Sequence, residues 1–269
     1  LDVRAWNRSP QKLASLAGRG VQAAASVREA LAGSDAAIVM LSTGAVVDDV
    51  LFGDADPAIA ALPTGALLVV MSSIPVETAR GQARRAAQAG IGYLDAPVSG
   101  GEPGARDGTL AIFGGGTADD FARAAPLFAA LGRATHLGPA GSGQLTKLAN
   151  QVIVGGTLVA IAEALVLARS GGADPVAVRE ALMGGFGDSK VLRVLGARMV
   201  DGDFVPGSPA QYQLKDMRTA QQLATQYGLK LAMLDDLIRR FESLVARGDG
   251  ERDVSVIIRE VAATAGAAA

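Results

Sequence analysis

Lys147, Asn150 and Gln151 share the segment GQLTKLANQ, residues 143–151. In a helix, residues three and four apart lie on one face. The spacing therefore sets an ammonium beside two carboxamides. An ammonium can give a proton to an oxygen that is gaining negative charge, and an amide can hold a hydroxyl or the lysine itself. A lysine in an otherwise apolar helix must reach water or serve a site, so a solvated lysine beside an amide pair is the plain alternative. A second segment, residues 95–101, reads DAPVSGG. Ser99 brings a hydroxyl, and Gly100 and Gly101 let backbone N–H groups come close to an anion. An ordinary strand-to-loop turn has the same composition. In QLKDMRTA, residues 213–220, Lys215 adjoins Asp216, which taken alone reads as a solvated pair. Asn7, Arg8 and Ser9 follow the first strand-like segment. In a dinucleotide fold an acid at that point accepts from a ribose 2′-hydroxyl, whereas an arginine pairs with a 2′-phosphate. Here there is Arg8 and no acid; a surface arginine near a helix start is the other reading.

These segments need a scaffold. Residues 1–6, 36–41, 67–71, 92–96, 110–113 and 134–137 read as strands, with helices expected over 10–17, 75–89 and 119–131. Continuous apolar strands alternating with helices imply a parallel sheet covered on both faces. Open sheets of that kind bind ligands at the C-terminal edge of their strands, which is where DAPVSGG falls. From Gly143 the periodicity is helical. A long apolar helix to Ser170 is followed by Asp174-Pro175 as cap and first turn of the next. Further helices are expected over 190–200, 211–227, 233–247 and 253–263. The boundary between a sheet domain, 1–140, and an all-α domain, 141–269, falls at GPAGSG, residues 138–143.

Composition excludes several classes. The 269 residues are 49% hydrophobic, enough for two medium domains, and the net charge is −2. That balance makes no electrostatic case for a nucleic-acid partner or an anionic membrane surface. There is no cysteine and one histidine, His136, so neither a disulfide framework nor a zinc or non-haem iron site is expected. His136 reads as a structural residue at a strand end. Residues 152–168 run just short of a membrane span and contain Gly155, Gly156 and Glu163, so a buried central helix is expected. The chain opens directly into a strand pattern with no signal segment, and a cytoplasmic protein is expected.

The order DAPVSGG, GARDGTLAIFGGG, GSGQLTKLANQ, GADPVAVREALMGGF and LKD resembles the β-hydroxyacid dehydrogenase family, and does so up to about Ala220. The resemblance implies an α/β Rossmann-like N-terminal domain, a long interdomain helix, an all-α C-terminal domain, and an active site in the cleft between them. It implies that Lys147 is catalytic with Asn150. Ser99, Gly100, Gly101, Gln151 and Lys215 would bind a small carboxylate substrate, a 3-oxo or 3-hydroxy acid. Asn7, Arg8, Ser9, Leu41, Ser42, Ser72, Ser73 and again Lys215 would line NADP, with NAD as the alternative. A homo-oligomer, dimer or tetramer, is implied as well. A non-catalytic dinucleotide-binding or scaffolding protein of the same fold is the reading from another class. Such chains open with a strand, a G-x-G-x-M-G loop and a helix ahead of the segment LDVRAWNRS. A first βα unit of about thirty residues is therefore missing by that comparison. Two departures lie near the substrate end. Gln211-Tyr212-Gln213 precedes Lys215 where relatives often have Leu-His, and Asp253-Val254-Ser255 lacks a commonly seen histidine.

Overall fold

The computed structural model describes residues 1–16, 18–53 and 57–267. The chain forms two compact units, Leu1–Lys147 and Leu148–Ala269. The first is α/β. Strands β1 (Val3–Ala5) and β2 (Val21–Ala23) pair in parallel as a small separate sheet. Helix α1 (Val27–Leu31) leads to β3 (Ala36–Val39), then α2 (Gly44–Phe52), β4 (Leu67–Val70), α3 (Val76–Gln88) and β5 (Gly92–Asp95). After these come β6 (Val98–Ser99), α4 (Gly101–Arg106), β7 (Leu110–Gly116), α5 (Ala118–Arg123), α6 (Ala125–Leu131) and β8 (Gly132–His136). The six later strands make one sheet in the order β3-β4-β5-β7-β6, with β8 also paired to β7.

Strand β4 shows why the helices must lie on both faces. Successive side chains of a strand point to opposite sides, and all four of its residues are apolar and buried. Leu68 and Val70 join Val47, Leu51 and Phe52 of α2 and Ala79 and Ala86 of α3. Leu67 and Val69 join Leu94, Ile112 and Phe128 on the other side.

The sheet is mixed, not wholly parallel as the strand pattern predicts. β3, β4 and β5 are parallel, but β7 runs antiparallel to both β5 and β6. A parallel return must carry the chain back the length of a strand, about 13 Å for four residues. The six residues of α4 rise about 9 Å, and β6 takes up part of the connection, so β7 returns antiparallel. Several helices also differ from the expected ones; the one expected over 253–263 opens with a 3₁₀ turn, Val254–Val256, and the one expected over 233–247 is α-helical only to Leu244. Residues 10–16 form a 3₁₀ helix instead of an α-helix, and the last residue expected in it, Ala17, lies outside the described residues. The helix expected over 119–131 breaks at Ala124, just ahead of Pro126, which has no N–H to give.

The long helix α7 (Ser142–Ser170) begins in the first unit and continues in the second. The second unit adds α8 (Pro175–Leu182), α9 (Lys190–Asp201), α10 (Ala210–Gln226), α11 (Ala232–Leu244) and α12 (Ile257–Thr264). Asp174 caps α8, its Oδ1 accepting from the Val176 N–H at 3.1 Å, with Pro175 at the first position. Leu158, Ile161, Ala162 and Leu165 of α7 are buried, as are Leu214 and Met217 of α10 and Leu234, Leu237 and Phe241 of α11. Lys147 falls within the first unit because the first turns of α7 are bonded to the sheet.

Candidate active site

Helix α7 starts against a carboxylate. Asp95, the last residue of β5, is fully buried. Its Oδ1 accepts from the Gly141 N–H at 2.7 Å and its Oδ2 from the Gln144 N–H at 2.8 Å. The first N–H groups of a helix have no partner within it and carry partial positive charge, and a buried carboxylate meets both conditions. Burial pushes the Asp95 carboxyl up from an ordinary 3.8 to about 6, against the opposing pull of the Gly141 and Gln144 N–H bonds. Two glycines make the approach feasible. A β-carbon on Gly143 would lie 2.2 Å from the Phe113 carbonyl oxygen, and one on Gly115 would lie 2.6 Å from Asp95 Oδ1.

Gln144, also fully buried, ties the same helix start to the end of β4. Its Oε1 accepts from the Ile74 N–H at 3.0 Å and its Nε2 donates to the Ser72 carbonyl at 2.8 Å. The Ser72 hydroxyl in turn accepts from the Leu41 N–H at 2.7 Å. The C-terminal ends of β3, β4 and β5 are thus joined to one helix start by buried hydrogen bonds. Lys147 is half-buried one turn further on, and its Nζ donates to the Val98 carbonyl at 2.9 Å. The structure therefore brings Lys147 to the DAPVSGG segment, beside Ser99. Gly100 and Gly101 take φ of 140° and 64° where β6 turns into α4, a conformation that side chains other than glycine's resist.

Leu41 and Ser42 follow β3, and Ser72 and Ser73 follow β4, all on the C-terminal edge of the parallel strands. The Ser72 side chain is buried and bonded to backbone there, so its part is to shape the edge. Asn7, Arg8 and Ser9 follow β1 in the small sheet. Asn7 Oδ1 accepts from the Ser9 N–H at 2.9 Å, and Arg8 is exposed. This edge, with α2 and α3 starting within a few residues of it, fits a nicotinamide dinucleotide. His136 keeps its structural reading: its Nε2 lies 3.0 Å from the Gly116 carbonyl and its ring 5.0 Å from that of Phe121.

In the second unit Asn150 Nδ2 donates to Gln151 Oε1 at 2.9 Å, and Gln151 Nε2 donates to Gln213 Oε1 at 2.8 Å. The Lys215 Nζ lies 3.2 Å from Asp216 Oδ1, with Asp216 buried. Sequence reading missed three residues of this arrangement: Asp95, Gln144 and Gln213. A carboxylate at a strand end is the only local sign of Asp95. Its partners lie 46 and 49 residues on, beyond the reach of any spacing rule.

Residues 1–141 match the family described as the NAD binding domain of 6-phosphogluconate dehydrogenase, and residues 141–261 the one described as NAD-binding of NADP-dependent 3-hydroxyisobutyrate dehydrogenase. The chain is 43% identical to 2-hydroxy-3-oxopropionate reductase of Escherichia coli, over 92% of its own length and 84% of that protein's. It is 34% identical to 3-hydroxyisobutyrate dehydrogenase of Pseudomonas aeruginosa, over 93% and 86%. Among solved structures, 3-hydroxyisobutyrate dehydrogenase from Salmonella typhimurium superposes with a TM-score of 0.88 at 27% identity, over 96% of this chain and 91% of that one. The sheet edge, the lysine-bearing helix and these likenesses make the chain a member of the β-hydroxyacid dehydrogenase family, an oxidoreductase of the 3-hydroxyisobutyrate dehydrogenase-like kind that acts on CH–OH groups with a nicotinamide dinucleotide.

Proposed function

We propose that this enzyme reduces a small 3-oxo acid, tartronate semialdehyde or a near relative, to the 3-hydroxy acid with NADPH, and runs the reverse oxidation with the same groups. The observation that carries the reading is the Lys147 ammonium held at 2.9 Å from the Val98 carbonyl, next to Ser99. Bound nicotinamide supplies the hydride for the carbonyl carbon. Lys147 gives a proton to the oxygen as it becomes an alkoxide, and in the reverse direction takes it back. The Ser99 hydroxyl and the Gly100 and Gly101 N–H groups hold the carboxylate, and Asn150, one turn along the helix from Lys147, takes a substrate hydroxyl. Association with further copies of the chain, as a dimer or tetramer, is part of the proposal.

The test is kcat/KM for tartronate semialdehyde, methylmalonate semialdehyde and succinic semialdehyde with NADPH. The first is expected to lead by about ten-fold or more, because a site that bonds a hydroxyl rejects analogues without one. A lead for either of the others would replace the substrate assignment. The cofactor half of the proposal rests on Arg8. A charge-assisted pair with the 2′-phosphate contributes about 1.5–3 kcal/mol, so Arg8→Ala is expected to lower the NADPH-to-NADH ratio of kcat/KM about ten-fold or more. An unchanged ratio would remove Arg8 from the cofactor site.

A further inference from the structure

Gln213 of α10 is 4% exposed and both ends of its amide are occupied. Its Nε2 donates to the backbone carbonyl of Gln151 at 2.9 Å, and its Oε1 accepts from Gln151 Nε2 at 2.8 Å. A carbonyl only accepts, so the nitrogen of Gln213 must face it and the oxygen must face Gln151. Gln151 must then present its nitrogen to Gln213, which leaves its Oε1 to accept from Asn150 Nδ2 at 2.9 Å. Each amide fixes the polarity of the next, and the order ends with Asn150 keeping its Oδ1 for another donor. Glycine makes room for this, since a β-carbon on Gly155 would lie 3.1 Å from Gln213 Nε2.

We infer that Gln213 is a positioning residue that, through Gln151, commits Asn150 to accept a hydrogen bond from substrate and so selects acids carrying a hydroxyl beside the carbonyl. The inference rests on the substrate role proposed above for Asn150. Tartronate semialdehyde carries such a hydroxyl; methylmalonate semialdehyde has a methyl group in its place and donates nothing.

The experiment measures kcat and KM for both semialdehydes with NADPH, in the wild type and in the Gln213→Leu, Gln213→Glu and Asn150→Ala variants of the full chain. In Gln213→Leu the preference for the hydroxylated substrate is expected to fall about ten-fold, the loss of one well-made hydrogen bond. The fall should appear chiefly as a higher KM for that substrate, with methylmalonate semialdehyde turned over nearly as before. In Gln213→Glu the new carboxylate can accept from Gln151 but can donate to the Gln151 carbonyl only when protonated. Its preference should therefore recover as pH falls through the titration of that carboxyl, a profile that loss of packing does not produce. An equal loss for both substrates in Gln213→Leu, with no pH recovery in Gln213→Glu, would show a merely structural residue and overturn the inference. Should Asn150→Ala abolish the preference while Gln213→Leu keeps it, the inference fails and the reading of Asn150 stands. Should Asn150→Ala leave the preference intact, both fail.

Discussion

Replacing Lys147 with alanine is expected to lower kcat by about 10²–10⁴-fold, the usual contribution of general acid catalysis. The dissociation constant of NADPH should stay nearly unchanged. The motive is geometric. Lys147 Nζ reaches the Val98 carbonyl at the segment that carries Ser99, Gly100 and Gly101, whereas the residues expected to line the dinucleotide, Lys215 apart, follow β1, β3 and β4. Lys147→Arg should not restore the rate, because a guanidinium holds its proton too tightly to release it to an alkoxide. The measurements are kcat with chemistry rate-limiting, checked by a deuterated cofactor, and NADPH binding by calorimetry. An alanine variant keeping more than about a tenth of wild-type kcat would refute the assignment. Weakened NADPH binding with unchanged kcat would move Lys147 to the cofactor.

Asp95 should show the largest effect on stability. Asp95→Ala removes the acceptor of two buried N–H groups, those of Gly141 and Gln144. At about 1–3 kcal/mol for each buried group left without a partner, the loss is expected to be about 3 kcal/mol or more. Asp95→Asn keeps the shape and one acceptor oxygen but turns its NH₂ group toward the other of the two N–H donors, so it should be destabilising too. Its loss should depend on pH. In the folded protein the wild-type carboxyl is pushed up to about 6 by burial, so between about pH 4 and 6 the native state holds a proton that the unfolded chain has released. This contribution is fully present below about pH 4 and is lost as pH rises through 6. The advantage of wild type over Asp95→Asn should therefore shrink across that window, by at most about 3 kcal/mol. Urea unfolding of both proteins from pH 4 to 8 measures it. A constant difference would mean that the N–H bonds outweigh burial and that the carboxylate stays ionised throughout.

Much of the site was legible locally. The apolar runs at residues 36–41, 67–71 and 92–96 announce strands, because strand and helix periods come from backbone geometry over a few residues. The same geometry puts Lys147 and Asn150 on one helix face, and Asp174-Pro175 at a helix start. The glycine pair 100–101 reads locally as a place of close backbone approach, and the structure gives it positive φ, 140° and 64°, as residues without a β-carbon allow. All of these are short-range consequences of covalent structure.

What the tertiary structure alone decided concerns partners far apart in the chain. Lys147 meets Val98 across 49 residues, Gln144 meets Ser72 across 72, and Gln213 meets Gln151 across 62. The reversal of β7 and the seating of α7 on Asp95 belong to the same class. A buried N–H or carboxylate must find some partner, but its own sequence neighbourhood does not say which. The choice falls to whatever the packed sheet and helices bring within 3 Å. Gly115 and Gly143, unremarkable as letters, became necessary only once a helix had to close on a strand end with no space for a β-carbon.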